Sequence, residues 1–66
     1  MNITVNSEPM VVDTGISVSA LLDSINANIP GVAVAVNNKI VKKGEWHSHF
    51  LQENDRIVVI KAACGG

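Results

Sequence analysis

SVSALLDSINANIPG, residues 17–31, is the stretch that decides the fold of this 66-residue chain. Val18, Leu21, Leu22 and Ile25 fall at i, i+3, i+4 and i+7, one stripe of a 3.6-residue period. Ser17 stands just ahead of the stripe, where a hydroxyl can accept an orphan N–H of the first helical turn. Pro30-Gly31 forbids continuation. The spacing predicts a helix over residues 17–27, about ten residues long. No other long helical pattern occurs, so the rest of the chain has to be arranged around one helix.

Working outward, the segments on either side read as strands. MNITV at the start alternates, with Ile3 and Val5 on one side; NSEP at 6–9 is a cluster of turn formers; MVV at 10–12 resumes extended character. Together they predict an opening β-hairpin, broken by Asp13-Thr14-Gly15. After the helix, VAVAVN at 32–37 is a strand, with Val32, Val34 and Val36 on one face and two alanines on the other. NNK makes a tight turn, because Asn tolerates positive φ, and Ile40-Val41 returns. Residues 42–50 have no clean period and predict a turn with a short helical turn. QEND at 52–55 is a further turn, and RIVVI at 56–60 is the last strand. The predicted class is α+β, a small mixed sheet packed on one main helix. It forms a single domain over 1–66, with a folded body at 1–61 and a flexible tail at 62–66.

One helix covers only one face of such a sheet. Yet the last strand is apolar on both sides, Ile57 and Val59 on one and Val58 and Ile60 on the other. One of these faces is therefore left open, which points to a partner, with a homodimer or a folded-over loop as the alternatives.

Composition excludes several functions. Net charge is −1 and the pI about 6.0, with Lys42-Lys43 the only adjacent basic pair, which argues against a phosphate-binding surface and nucleic acid. The longest apolar run, at 32–36, is far too short to span a membrane, and MNITVNSE lacks the basic and apolar regions of a signal peptide. Met1 leading straight into a strand pattern suggests a native start. One Cys rules out an internal disulfide and fits a reducing cytoplasm; with two His it gives no plausible structural zinc cage.

The chain finishes KAACGG, residues 61–66. Glycine has the highest ordering cost of any residue, so Gly65-Gly66 is hard to explain as a stability device. The strand–strand–helix–strand order, the AVNNKIV hairpin at 35–41, Trp46 after it, the ENDRIVVIK approach at 53–61 and the closing diglycine resemble the ubiquitin-like β-grasp fold. Within that fold they most resemble the ThiS-type sulfur carriers of thiamin biosynthesis. The resemblance covers essentially the whole chain. Many members of that group carry Gly-Asp where this chain has Asn54-Asp55, and Asn is the next-best residue for a left-handed turn.

The resemblance implies a chemistry centred on the Gly66 carboxylate. An E1-like (ThiF-type) adenylyltransferase, using ATP and Mg, attaches AMP. A persulfide sulfur donor then displaces it to leave a thiocarboxylate, and the sulfur passes to a thiazole synthase (ThiG-type). The chain itself binds no cofactor and is a co-substrate rather than an enzyme; it shows no triad, no phosphate loop and no convincing carboxylate pair. Gly65, without a Cβ, lets the reacting carbon thread a narrow channel shielded from water, and Ala62-Ala63 keep the approach slim. By the same resemblance Val58, Ile60, Ala62, Ala63 and Cys64 meet the partner, while Ile57 and Val59 face the core.

Other residues invite chemical readings. Cys64 reads as a small tail residue, the alternative being a thiol that attacks activated Gly66 or carries a persulfide. His47 and His49 form an H-x-H pair without further ligands, and Trp46 reads as a lid on one end of the core. The rival functions are the small subunit of molybdopterin synthase, a carrier for another sulfur acceptor, a ubiquitin-like protein modifier, and a binding module whose glycines are a frayed end.

Overall fold

A computed structural model of the protein describes residues 1–61. Among them are β1 (Asn2–Val5), β2 (Glu8–Val11), α1 (Val18–Ser24), β3 (Val32–Val36), β4 (Lys39–Val41), a short 3-10 turn (Lys43–Glu45) and β5 (Arg56–Lys61). The strands form one mixed sheet in the order β2-β1-β5-β3-β4. β5 lies at its centre, parallel to β1 and antiparallel to β3. This is the ubiquitin-like β-grasp arrangement, with α1 laid across one face.

Both hairpins are made by two-residue turns. Val5 pairs with Glu8 and Val36 with Lys39, leaving Asn6-Ser7 and Asn37-Asn38 as the loops. All four residues have positive φ, between 51° and 70°, the signature of the type I′ turn that matches strand twist. The first of these corrects the sequence reading. Glu8 and Pro9, expected in a turn at 6–9, belong to β2, with Pro9 opposite Thr4. Proline is tolerated there because β2 is an edge strand, and the missing N–H can face solvent.

The helix starts as expected, with the Ser17 hydroxyl accepting from the Ala20 N–H at 3.1 Å. It ends sooner than residue 27. Asn26 takes φ 57°, and two bonds close the end: Ala27 N–H to Leu22 O at 2.8 Å and Asn26 N–H to Asp23 O at 3.2 Å. That is a Schellman motif with Asn at the left-handed position, and buried Ala27 and Leu22 supply its apolar contact. A β-carbon without a compensating side-chain amide costs about 1 kcal/mol in this conformation. Asn26→Ala is accordingly expected to lower the melting temperature by roughly 4–8 °C, whereas Asn26→Gly leaves it unchanged or raises it. Thermal melts followed by circular dichroism check both.

The core lies between α1 and the inner face of the sheet. Val18, Leu21 and Leu22 pack with Ile3, Val34, Val36, Val41, Leu51 and Ile57, all buried, and Ile25, Val5, Met10 and Val59 lie partly buried against them. Trp46 closes one end, its indole N–H donating to Val41 O at 2.9 Å, so the one polar atom of the ring is satisfied inside. No buried side-chain nitrogen or oxygen lacks a partner among the described residues.

Candidate functional site

The sequence directs attention to the end of the chain, and the fold determines where that end is presented. β5 is a central strand, bonded on one side to β1 and on the other to β3. Its pairing with β3 is continuous from Val36↔Ile57 to Val32↔Lys61. Because β5 runs parallel to β1, Lys61 sits at the same end of the sheet as the Asn6-Ser7 turn. It lies opposite the first residue of β3, just past Pro30-Gly31. Ala62, Ala63, Cys64, Gly65 and Gly66, all singled out by the sequence, lie outside the described residues. They continue directly from this point.

The start of β5 is held by a second set of contacts. Asn54 takes the left-handed φ of 68° expected from its place before Asp55. Asp55 accepts from Gln52 N–H at 2.8 Å and from the Asn37 amide at 2.9 Å. The Asn37 side-chain oxygen in turn accepts from Arg56 N–H at 2.9 Å. Two hairpin turns thus contribute asparagine side chains to the same strand, since Asn6 does likewise near Val59.

The two faces of β5 are sharply different. Ile57 is 1% exposed and Val59 is partly buried against the core, whereas Val58 is 41% and Ile60 54% exposed. The outward pair does not stand alone. Val58 is opposite Ala35, which is opposite Ile40, and Ile60 is opposite Ala33. Residues directly opposed in adjacent strands share a face. The result is an apolar strip across three strands that α1 does not cover, with Ile40 69% exposed at its far side. Arg56 and Thr4, opposed to one another, mark where the strip gives way to polar side chains. Among the described residues nothing covers it. Sequence reasoning named Val58 and Ile60 and missed Ile40; the signal was the pair of alanines facing away from the valines of β3, which lines up with Ile40 once the Asn37-Asn38 turn fixes the register.

The remaining candidates do not converge. His47 is exposed and His49 partly so, and no three His, Cys, Asp or Glu side chains come together as a metal site among the described residues. No cavity is found there either. No helix of the described residues is long and apolar enough to cross a membrane.

Comparison with known proteins agrees with this layout along the full length. The ThiS family model matches residues 1–66. The chain is 32% identical over 66 residues to the sulfur carrier protein ThiS of Escherichia coli K12, covering all of both chains. It is also 32% identical, over all of its length and 93% of the relative's, to an uncharacterized protein of Pyropia yezoensis. A crystal structure of the thiamine biosynthesis protein ThiS from Geobacter metallireducens superposes with a TM-score of 0.85 at 26% identity, each chain covered completely. A solution structure of a thiamine biosynthesis protein from the same organism gives 0.80 at 25% identity, over all of this chain and 88% of that one.

Proposed function

Since the chain belongs to the ThiS family of sulfur carriers of thiamin biosynthesis, we propose that its carrying atom is the carboxyl carbon of Gly66. The carboxylate attacks the α-phosphorus of ATP in an E1-like adenylyltransferase, releasing pyrophosphate and forming an acyl adenylate. The terminal sulfur of a persulfide attacks that acyl carbon and AMP leaves. A thiol then cleaves the sulfur–sulfur bond, taking up the other sulfur as a disulfide and leaving –CO–S⁻ on Gly66. A thiazole synthase consumes this sulfur. Adenylation is needed because a carboxylate, with charge spread over two oxygens, is a poor electrophile and would have to expel oxide, whereas the acyl adenylate expels AMP. The chain performs none of these steps itself; it presents the atom on which they occur.

One observation carries the reading: the central, doubly paired strand β5 runs without interruption into a segment that ends Gly65-Gly66. A reactive end that visits several enclosed active sites needs a firm base and a slim approach, and glycine supplies the second. Association itself costs free energy at each encounter, and a slim pair of glycines offers little contact area to offset it, so affinity has to come from the folded body. The uncovered strip of Val58, Ile60, Ile40, Ala33 and Ala35 is the surface suited to provide it, with Ala62, Ala63 and Cys64 following it into the partner.

The test is intact mass after incubation with ATP and magnesium, the adenylyltransferase and a persulfide donor. Exchange of one oxygen for one sulfur, mapped to Gly66 and absent without ATP, is the expected result; an unchanged mass with an active partner overturns the proposal. Docking is tested separately. Ile60→Ser is expected to raise the KM for the carrier in pyrophosphate release by about tenfold, the effect of removing one apolar anchor. The melting temperature should move little, because the side chain is on the open face.

A further inference from the structure

β1 stops pairing with β5 at Val5↔Ile57, yet β5 continues for four more residues, to Lys61. Beyond that point the β1 side of β5 would present bare backbone groups to solvent. At Val59 it does not. The Val59 N–H donates to Asn6 Oδ1 at 2.8 Å, and Asn6 Nδ2 donates to Val59 O at 3.3 Å. The Asn6 backbone N–H meanwhile donates to Ile57 O at 2.9 Å. A carboxamide carries the same acceptor and donor as a peptide group, so the Asn6 side chain stands in for the next residue of a strand that has already turned away. Asn6 is the first turn residue, at φ 52°, and from there its side chain reaches the backbone of Val59 on the β1 side of β5.

We infer that Asn6 is a positioning residue for sulfur loading, fixing the point from which the reactive end starts. The inference rests on the proposed role of Gly66. With β5 held on both sides as far as Val59 and on the β3 side to Lys61, five residues, 62–66, remain to reach an active site. Fully extended, they span about 17 Å at 3.3–3.6 Å per residue. Each residue released from the sheet adds one more such step of chain between the folded body and Gly66. The clamp is exposed, outside the buried core, and its effect falls on the last residues of β5. A loosened strand end has to be ordered at each encounter with the adenylating enzyme. That cost is borne equally by bound substrate and transition state, so it appears in KM and not in kcat.

Two variants test this. Asn6→Gly keeps the positive φ and the turn but removes both side-chain bonds. Asn6→Asp keeps the acceptor for Val59 N–H and replaces the donor by an oxygen facing Val59 O. In Asn6→Gly the Val59 amide should exchange with solvent distinctly faster, while the Ile60 amide, on the side of β5 that faces β3 and Ala33, keeps its protection. The KM for the carrier in ATP-dependent pyrophosphate release should rise about tenfold, the order expected for two exposed hydrogen bonds, with kcat unchanged. Asn6→Asp should fall between Asn6→Gly and the unaltered chain. A normal KM in Asn6→Gly with a deprotected Val59 amide overturns the inference, as does a loss confined to kcat or an unchanged Val59 amide. Failure of the unaltered chain to be adenylated at all would instead overturn the reading of Gly66, and the exchange measurement distinguishes the two cases without any activity.

Discussion

Removing Gly65 and Gly66 is expected to abolish sulfur loading entirely while leaving the unfolding transition where it is. The first half follows from chemistry. The acyl carbon that takes AMP and then sulfur is the last atom of the proposed carrier, and a chain ending at Cys64 offers its carboxylate two residues short, about 7 Å back along an extended path. In an active site closed to water, a reacting group misplaced by even a fraction of that distance loses most of its rate. The second half follows from the fold. Among the described residues the buried set runs from Ile3 to Ile57, and the sheet and helix that build it lie within residues 1–61. Intact mass after a loading reaction and a thermal melt of the same sample check the two halves together. Sulfur on the shortened chain would mean that the carrying atom lies elsewhere. A lowered melting temperature would mean that the two glycines have a structural role as well. The comparison also separates a carrier from a binding module, which would keep its partner after the deletion.

How much of this was written in the sequence depends on the range of the interaction concerned. The helix stripe, the Ser17 cap and the alternation of β1, β3 and β5 are local patterns, and they read through to the structure. The two sides of β5 were also legible. A single helix leaves one face open, and the strand's own alternation separates Ile57 and Val59 from Val58 and Ile60. The choice of Val58 and Ile60 as the open pair came from the family resemblance, against the parity of Lys61. The misreadings have identifiable causes. Pro9 belongs to a strand because β2 is an edge, which depends on sheet order and not on residues 6–9. The helix stops at Ser24 because Asn26 adopts φ 57°, and an asparagine in a polar run carries no mark saying which side of the helix terminus it falls. What no pattern could show were the side-chain contacts made at long range. Asn6 reads as one turn former among several, and its bonds to Val59 exist only once β1 and β5 lie side by side. Ile40 likewise joins the open strip only through register.

The other large effect is expected from the opposite face of the strand that carries the site. Ile57→Ala should remove much of the folded population, and with it loading. Ile57 is 1% exposed, pairs with Val5 and Val36 on its two sides, and faces α1. Truncating a fully buried isoleucine costs about 2–5 kcal/mol, because the cavity closes only in part. A chain of this size holds about 3–10 kcal/mol in all, so this one change consumes a large share of the total. It should move the denaturant midpoint down steeply while leaving the slope alone, as a loss of stability without a change of folded structure requires. Loading measured at assay temperature should fall with the folded fraction and recover on modest cooling or with stabilising osmolyte. Ile60→Ser, three residues on and facing the other way, should do the reverse, raising KM while the midpoint stays in place. The two variants thus fail differently although they sit in one six-residue strand. If Ile57→Ala unfolds like the unaltered chain and loses only affinity for its partner, the strand has been assigned to the wrong face and the open strip with it. If the two failures separate as expected, β5 has two distinct jobs set by alternation alone, one face holding the fold together and the other meeting the partner, with Gly66 at the end of the chain it delivers.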